Sequence, residues 1–179
     1  VGERRSAGVR MKVEMAITER DLAATGETAR RLEAQGLDCG IVFEAGPAAF
    51  LQVLLAVQCT HRLEIATGVA IAFARSPMIV AQTANDLQIL AGGRFILGLG
   101  SQIKPHSETR FSLPWSRPAA RMREYVRAIR AIWQAWQTGE RLDFRGEFYT
   151  HTLMTPAFSP GANPFDLPRV FVAGVGPKM

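Results

Sequence analysis

The residues of this chain best equipped for chemistry collect where short apolar runs give way to glycine or to a polar turn. Glu44 follows the run Leu37–Phe43. Gly68-Val69 ends the run from Arg62 and leads to Arg75. Gly98-x-Gly100-Ser101, with His106 a few residues on, closes Arg94–Gly100, and Gly174-x-Gly176 follows Arg169–Ala173. Glycine lets backbone approach a ligand closely and frees N–H groups to meet phosphate. Glu44 and His106 supply acid–base groups to the set. Plainer readings stand beside these: Gly68 as a bulge, His106 as a solvated loop residue. Gly98-Leu99-Gly100 lacks the third glycine of the dinucleotide fingerprint and precedes a loop, so a Rossmann reading fails. There is no G-x-S-x-G nucleophile, and no Cys, His or carboxylate cluster has metal spacing, so no metal site is expected.

The apolar runs read as parallel strands and the segments between them as amphipathic helices. Val13–Ile17 alternates as a strand, and Thr18 is a candidate N-cap for a helix through Leu22, Ala29 and Leu32, stopped by Gly36. Pro47 suits the first position of a second helix with a buried stripe of Phe50, Leu51, Leu54 and Leu55. Ser76-Pro77 opens a third, through Val80, Ala84 and Leu87 to Gly92-Gly93. Pro118 opens a fourth, with Met122, Tyr125, Val126, Ile129, Ile132, Trp133 and Trp136 inward and Arg121, Arg123, Arg127 and Arg130 on the wet side. Leu142-Asp143-Phe144 and Glu147-Phe148-Tyr149 flank Arg145-Gly146 as a small hairpin. The proline-rich stretch 150–168 reads as a long loop, functional or a lid. Five strands and four helices of this kind predict an α/β fold with a parallel sheet covered by helices. Ligand sites in such folds sit at the C-terminal ends of the strands, where the residues named above fall.

Composition fits a globular protein: of 179 residues, 47% are hydrophobic and 21% charged,. No run reaches the roughly 18–20 apolar residues of a membrane span. Val1–Arg10 has arginines but no apolar segment, so it reads as a loose leader, not a signal peptide. The net charge of +5 is Arg-rich and scattered. It reads as solvated helix faces, or as a complement to an anionic small ligand; no nucleic-acid motif accompanies it. Cys39 and Cys59, far apart and outside any CxxC, suit a reducing, cytoplasmic setting.

Thr67-Gly68-Val69-Ala70-Ile71-Ala72-Phe73-Ala74-Arg75-Ser76-Pro77, then Ala81-Gln82-Thr83-Ala84, then Gly92-Gly93-Arg94-Phe95-Ile96-Leu97-Gly98-Leu99-Gly100, together resemble the bacterial luciferase-like monooxygenase superfamily, most of all its branch using the deazaflavin coenzyme F420. The helix after Arg117-Pro118 and the Arg145–Tyr149 hairpin are similar to that branch too, and the resemblance runs from Met11 to Lys178. It implies a (β/α)₈ TIM barrel, here incomplete at about five parallel strands plus the hairpin insertion: residues 1–10 a leader, 11–179 the N-terminal part of the barrel domain. It implies a cofactor ring across the strand ends, backed by a cis Gly68–Val69 peptide, with Gly100, Ser101 and His106 towards the cofactor tail and Gly174 and Gly176 near its phosphate. Members of the family often read Glu-x-x-His-Asp-Pro-Phe after the second strand, where this chain has Glu44-Ala45-Gly46-Pro47-Ala48-Ala49-Phe50, without the His and Asp.

The function so implied is hydride transfer between F420 and a small carbon substrate, in a chain that ends at Met179 before the barrel can close. FMN-dependent monooxygenase chemistry is the alternative. A non-catalytic half-barrel is another, pairing through its open edge with a further copy or a full-length homologue.

Overall fold

The computed structural model of the chain describes residues 11–174. The leader and Gly176 lie outside that range. In chain order the elements are β1 (Glu14–Ile17), α1 (Leu22–Ala34), β2 (Cys39–Val42), α2 (Ala49–Gln58), β3 (Glu64–Thr67), β4 (Ala70–Ile71), α3 (Pro77–Leu90), β5 (Phe95–Gly100), α4 (Pro118–Thr138), β6 (Phe144–Arg145), β7 (Thr150–His151) and β8 (Arg169–Val172). A π-helical turn covers His106–Arg110 and a 3₁₀ turn Pro156–Phe158.

All pairings in the main sheet are parallel. The order runs β1–β2–β3–β5–β8, with β4 continuing β3 along β5. Counting β3 and β4 as one strand broken at Gly68-Val69 recovers the five expected from the sequence. Among the described residues β1 and β8 each pair on one side only, so the sheet is open and no barrel closes. The helices line one face in sequence order, α1 on α2, α2 on α3, α3 on α4. Ile17, Val42, Leu63, Ile65, Phe95, Leu97 and Leu99 meet them in the main core, together with Val53, Ala84, Ile129 and Trp133. Each fully buried aliphatic or aromatic side chain there contributes about 1.5–3 kcal/mol. Cys39, Ala66 and Ile96, with Ile41, lie on the opposite face. Strand alternation puts Phe171 there as well, 50% exposed,.

Several local expectations shift. The cap of α1 is Asp21, not Thr18, because its carboxylate takes the Ala23 N–H at 2.9 Å,. Pro47 stands two residues ahead of α2, whose buried face is Ala49, Gln52, Val53, Ala56 and Val57. Leu51 is half exposed. That helix is apolar almost all round, so spacing alone did not select its inner face. Ser76-Pro77 caps α3 as read, with the Ile79 N–H donated to Ser76 Oγ. Arg121 is half-buried, not on the wet side. The long loop is fastened outside rather than draped over the strand ends. Asn163 Nδ2 donates to Asn85 Oδ1 (2.9 Å), Gln88 Nε2 to the Asp166 carbonyl (2.6 Å), and Trp136 Nε1 meets Met154 Sδ (3.4 Å).

Candidate site at the C-terminal ends of the strands

The strand ends converge on the break between β3 and β4. The Gly68–Val69 peptide there is cis. Thr67, buried just before it, clips β3 to β5: its Oγ1 accepts from Gly98 N (2.8 Å) and donates to Gly98 O (2.7 Å). A Cβ at Gly98 would run into the Thr67 carbonyl, one at Gly68 into Ile41, and one at Gly100 into Val69. The room left by these glycines is thus filled by the chain itself, and their first service is to let the broken strand lie flush on its neighbours. Val69 and Gly68 remain half exposed at the surface so made.

Glu44, at the end of β2, reaches across this break. Its carboxylate accepts from the Ile71 N–H at 2.6 Å and forms a two-pronged ion pair with the Arg75 guanidinium, one prong at 2.8 Å. Arg75 also donates to Ile71 O (3.1 Å) and lies over the Phe50 ring. Paired charges this sheltered, with side chains 10% and 24% exposed, hold geometry firmly. Tyr125 of α4 donates its hydroxyl to Arg75 O (3.1 Å).

A second layer backs this one. Arg121 stacks on Phe73 and Tyr149 and donates Nε to the Tyr149 hydroxyl at 2.8 Å. Tyr125 meets both Phe73 and Tyr149 edge to face. Burial raises the pKa of both tyrosines, more than Arg121 offsets for Tyr149, so both remain neutral,. Glu124 accepts the N–H groups of Glu147, Phe148 and Tyr149 at 2.7–2.9 Å. It thereby makes 146–149 the turn of the hairpin, and the paired residues are Phe144 with His151 and Arg145 with Thr150. That displaces the turn from the expected Arg145-Gly146.

Of the other expected site residues, Ser101 is half-buried and donates Oγ to Gln102 O (3.1 Å). His106 is exposed and shares a hydrogen bond with Gln102 (3.2 Å). Gly174 is exposed just past β8, whose extension Ala173 donates to Leu99 O (2.9 Å). The structure brings together Glu44, Gly68, Val69, Gly100 and Arg75. Glu44 and His106 share no hydrogen bond. Thr67, Glu124, Tyr125 and Tyr149 were not read from sequence as site residues; their polar links join positions 23–50 residues apart, which no local pattern signals. Beside the break, a cleft of about 750 Å³ opens between the ends of β1 and β2, lined by Ile17, Arg20, Phe43 and Pro47 among others. Among the described residues no group of three or more His, Cys, Asp or Glu could hold a metal, and no helix is long and apolar enough to cross a membrane.

Comparison with known proteins agrees with this fold. An uncharacterized protein of Mycobacterium tuberculosis is 54% identical over 170 residues, which is 95% of this chain and 50% of that protein. The chain thus spans about half the length of the curated relatives it matches most fully. An F420-dependent secondary alcohol dehydrogenase, solved with an F420-acetone adduct, superposes with a TM-score of 0.74 at 23% identity, covering 94% of this chain and 53% of that one. The oxygenating constituent of 3,6-diketocamphane monooxygenase from Pseudomonas putida, solved with FMN, gives 0.71 at 16%, covering 87% and 50%. These two likenesses show the shared fold. The family model described as luciferase-like monooxygenase matches residues 6–179, and the chain belongs to that family.

Proposed function

We propose that this chain forms the strand-end half-site of an F420-dependent oxidoreductase, acting in hydride transfer between the deazaflavin and a small carbon substrate. The observation that carries the reading is the surface at Gly68-Val69, exposed on one side and fixed on the other by Thr67, Glu44 and Arg75. Such a half-exposed, mostly backbone shelf suits a planar ring, and family membership makes a flavin-type ring the natural one. Bound there, a deazaflavin would accept or donate hydride at its C5, and FMN would activate oxygen instead.

The chain's own residues then do positioning work. Val69, half exposed at the break, would help hold the ring. Glu44 and Arg75 keep β4 in register, and Ser101 and His106 extend the shelf towards the cofactor tail. Gly174, exposed just past β8, would take the phosphate side; Gly176, expected there too, lies outside the described residues. Lys104, exposed on the loop after β5, is a cation that a polyanionic tail would meet, Arg75 being already paired with Glu44. With Pro47 and Ala48 after Glu44, no acid–base side chain stands at the positions where related sequences place His and Asp. Among the described residues, the half-exposed Phe171 and the single-sided edges of β1 and β8 favour a second reading, a non-catalytic partner protein that pairs with another chain,.

Fluorescence titration of the purified chain with oxidised F420 and then FMN, with light scattering on the same sample, tests this. The proposal expects micromolar F420 binding and weaker FMN binding. No binding of either at high ligand defeats the enzyme reading and leaves the pairing one.

A further inference from the structure

The cleft between the ends of β1 and β2 has a mostly apolar wall, with Thr18 and Gln52 as its uncharged polar members. Ile17, Leu22, Phe43, Ala45, Gly46 and Pro47 make an apolar trough. Phe43 joins it to the shelf, since its ring edge stands 3.9 Å from where a Gly68 Cβ would be. Two charged residues line it, Glu19 and Arg20. Glu19 is already engaged, accepting from Thr28 Oγ1 at 2.8 Å and lying 3.9 Å from Arg31. The neighbouring Asp21 is spent on the N-terminus of α1,. Arg20 is exposed and has no hydrogen-bond or ion-pair partner among the described residues. A mostly apolar trough whose rim carries one guanidinium with its hydrogen bonds unmade matches a ligand with a hydrocarbon body and one anionic oxygen group,.

We propose that this cleft binds the substrate as an apolar carboxylate, with the hydrocarbon chain against Phe43 and Pro47 and the carboxylate on Arg20. The identification of the cleft as a substrate pocket rests on the function proposed above; carboxylate binding in it does not.

Calorimetric titration of the full chain with decanoate, and with decanol as its uncharged match, tests the proposal. Decanoate should bind more tightly than decanol. Arg20→Gln should weaken decanoate about two- to fivefold, the worth of one charge pair at an exposed site, and leave decanol unchanged. Ala45→Trp, which fills the trough, should weaken both. Equal binding of the two ligands, no effect of Arg20→Gln, or no binding of either overturns it. Decanoate binding by a chain that fails to bind F420 sinks the cofactor reading alone, whereas F420 binding without decanoate binding sinks this proposal alone.

Discussion

Glu44 and Arg75, 31 residues apart in sequence, meet as a sheltered two-pronged ion pair in which the same carboxylate also takes the Ile71 N–H. The end of β2 is thereby tied to the strand that resumes after the Gly68-Val69 break. Removing one member leaves the other partly buried and unpaired. Glu44→Ala should cost about 2–3 kcal/mol, somewhat under the range for fully buried pairs. The double variant Glu44→Ala, Arg75→Ala should cost less than the two single changes summed. Urea unfolding of the four proteins checks this; additive losses would mean that the pair does not act as a unit.

Thr67 serves as the clip between β3 and β5. Thr67→Val keeps the shape and removes both hydrogen bonds to Gly98, leaving a buried N–H and a carbonyl without that partner. A loss of about 1–3 kcal/mol is expected in the same unfolding measurement. Thr67→Ser, which retains the hydroxyl, should recover most of it.

Glu124 organises the hairpin from α4 through three backbone N–H groups. In Glu124→Ala the amides of Glu147, Phe148 and Tyr149 should exchange with solvent at least about tenfold faster, as expected when a charged acceptor is lost. The amides of β1 and β2 should be unchanged. Uniform acceleration would instead indicate global destabilisation.

Two groups make stability fall with acid in separate windows. Burial lowers the His151 pKa from 6.5, and its Nε2 is buried without a partner. The unfolded chain therefore takes up that proton first. Stability from this group is full above about pH 6.5 and declines as pH falls towards the folded value. For Glu33, burial raises the pKa, but the N–H groups of Arg62, Leu63 and His61 outweigh it and the net shift is downward. Its contribution is present above the unfolded value of 4.5 and is lost as pH falls from there through the lower folded value,. His151→Leu should flatten the upper window only, and Glu33→Gln the lower only, in thermal melts across pH.

Much of this architecture is legible in the sequence because the βα rhythm is strong. Ser76-Pro77, Gly92-Gly93 and the stripe from Met122 to Trp136 each carry a local signal that the packing obeys. The inner face of α2 is not legible, since AFLQVLLAVQ offers apolar residues on every side and the choice is made by contact with α1, β3 and α3 together. Arg121 reads as a surface cation until Phe73 and Tyr149 arrive from distant segments to cover it. Glu44 stands at a strand end as its position predicts, yet its partners Arg75 and Ile71 are set by the crossing of strands rather than by spacing.

The central claim, that the surface at Gly68-Val69 carries a deazaflavin ring, is tested most directly by amide NMR of the labelled chain with increasing oxidised F420. The account predicts saturable shifts concentrated at Val69–Ile71 and Ser101–His106, with α1 and the outer face of α3 silent. Shifts confined to those helices, or a spectrum unchanged at saturating F420, would contradict it.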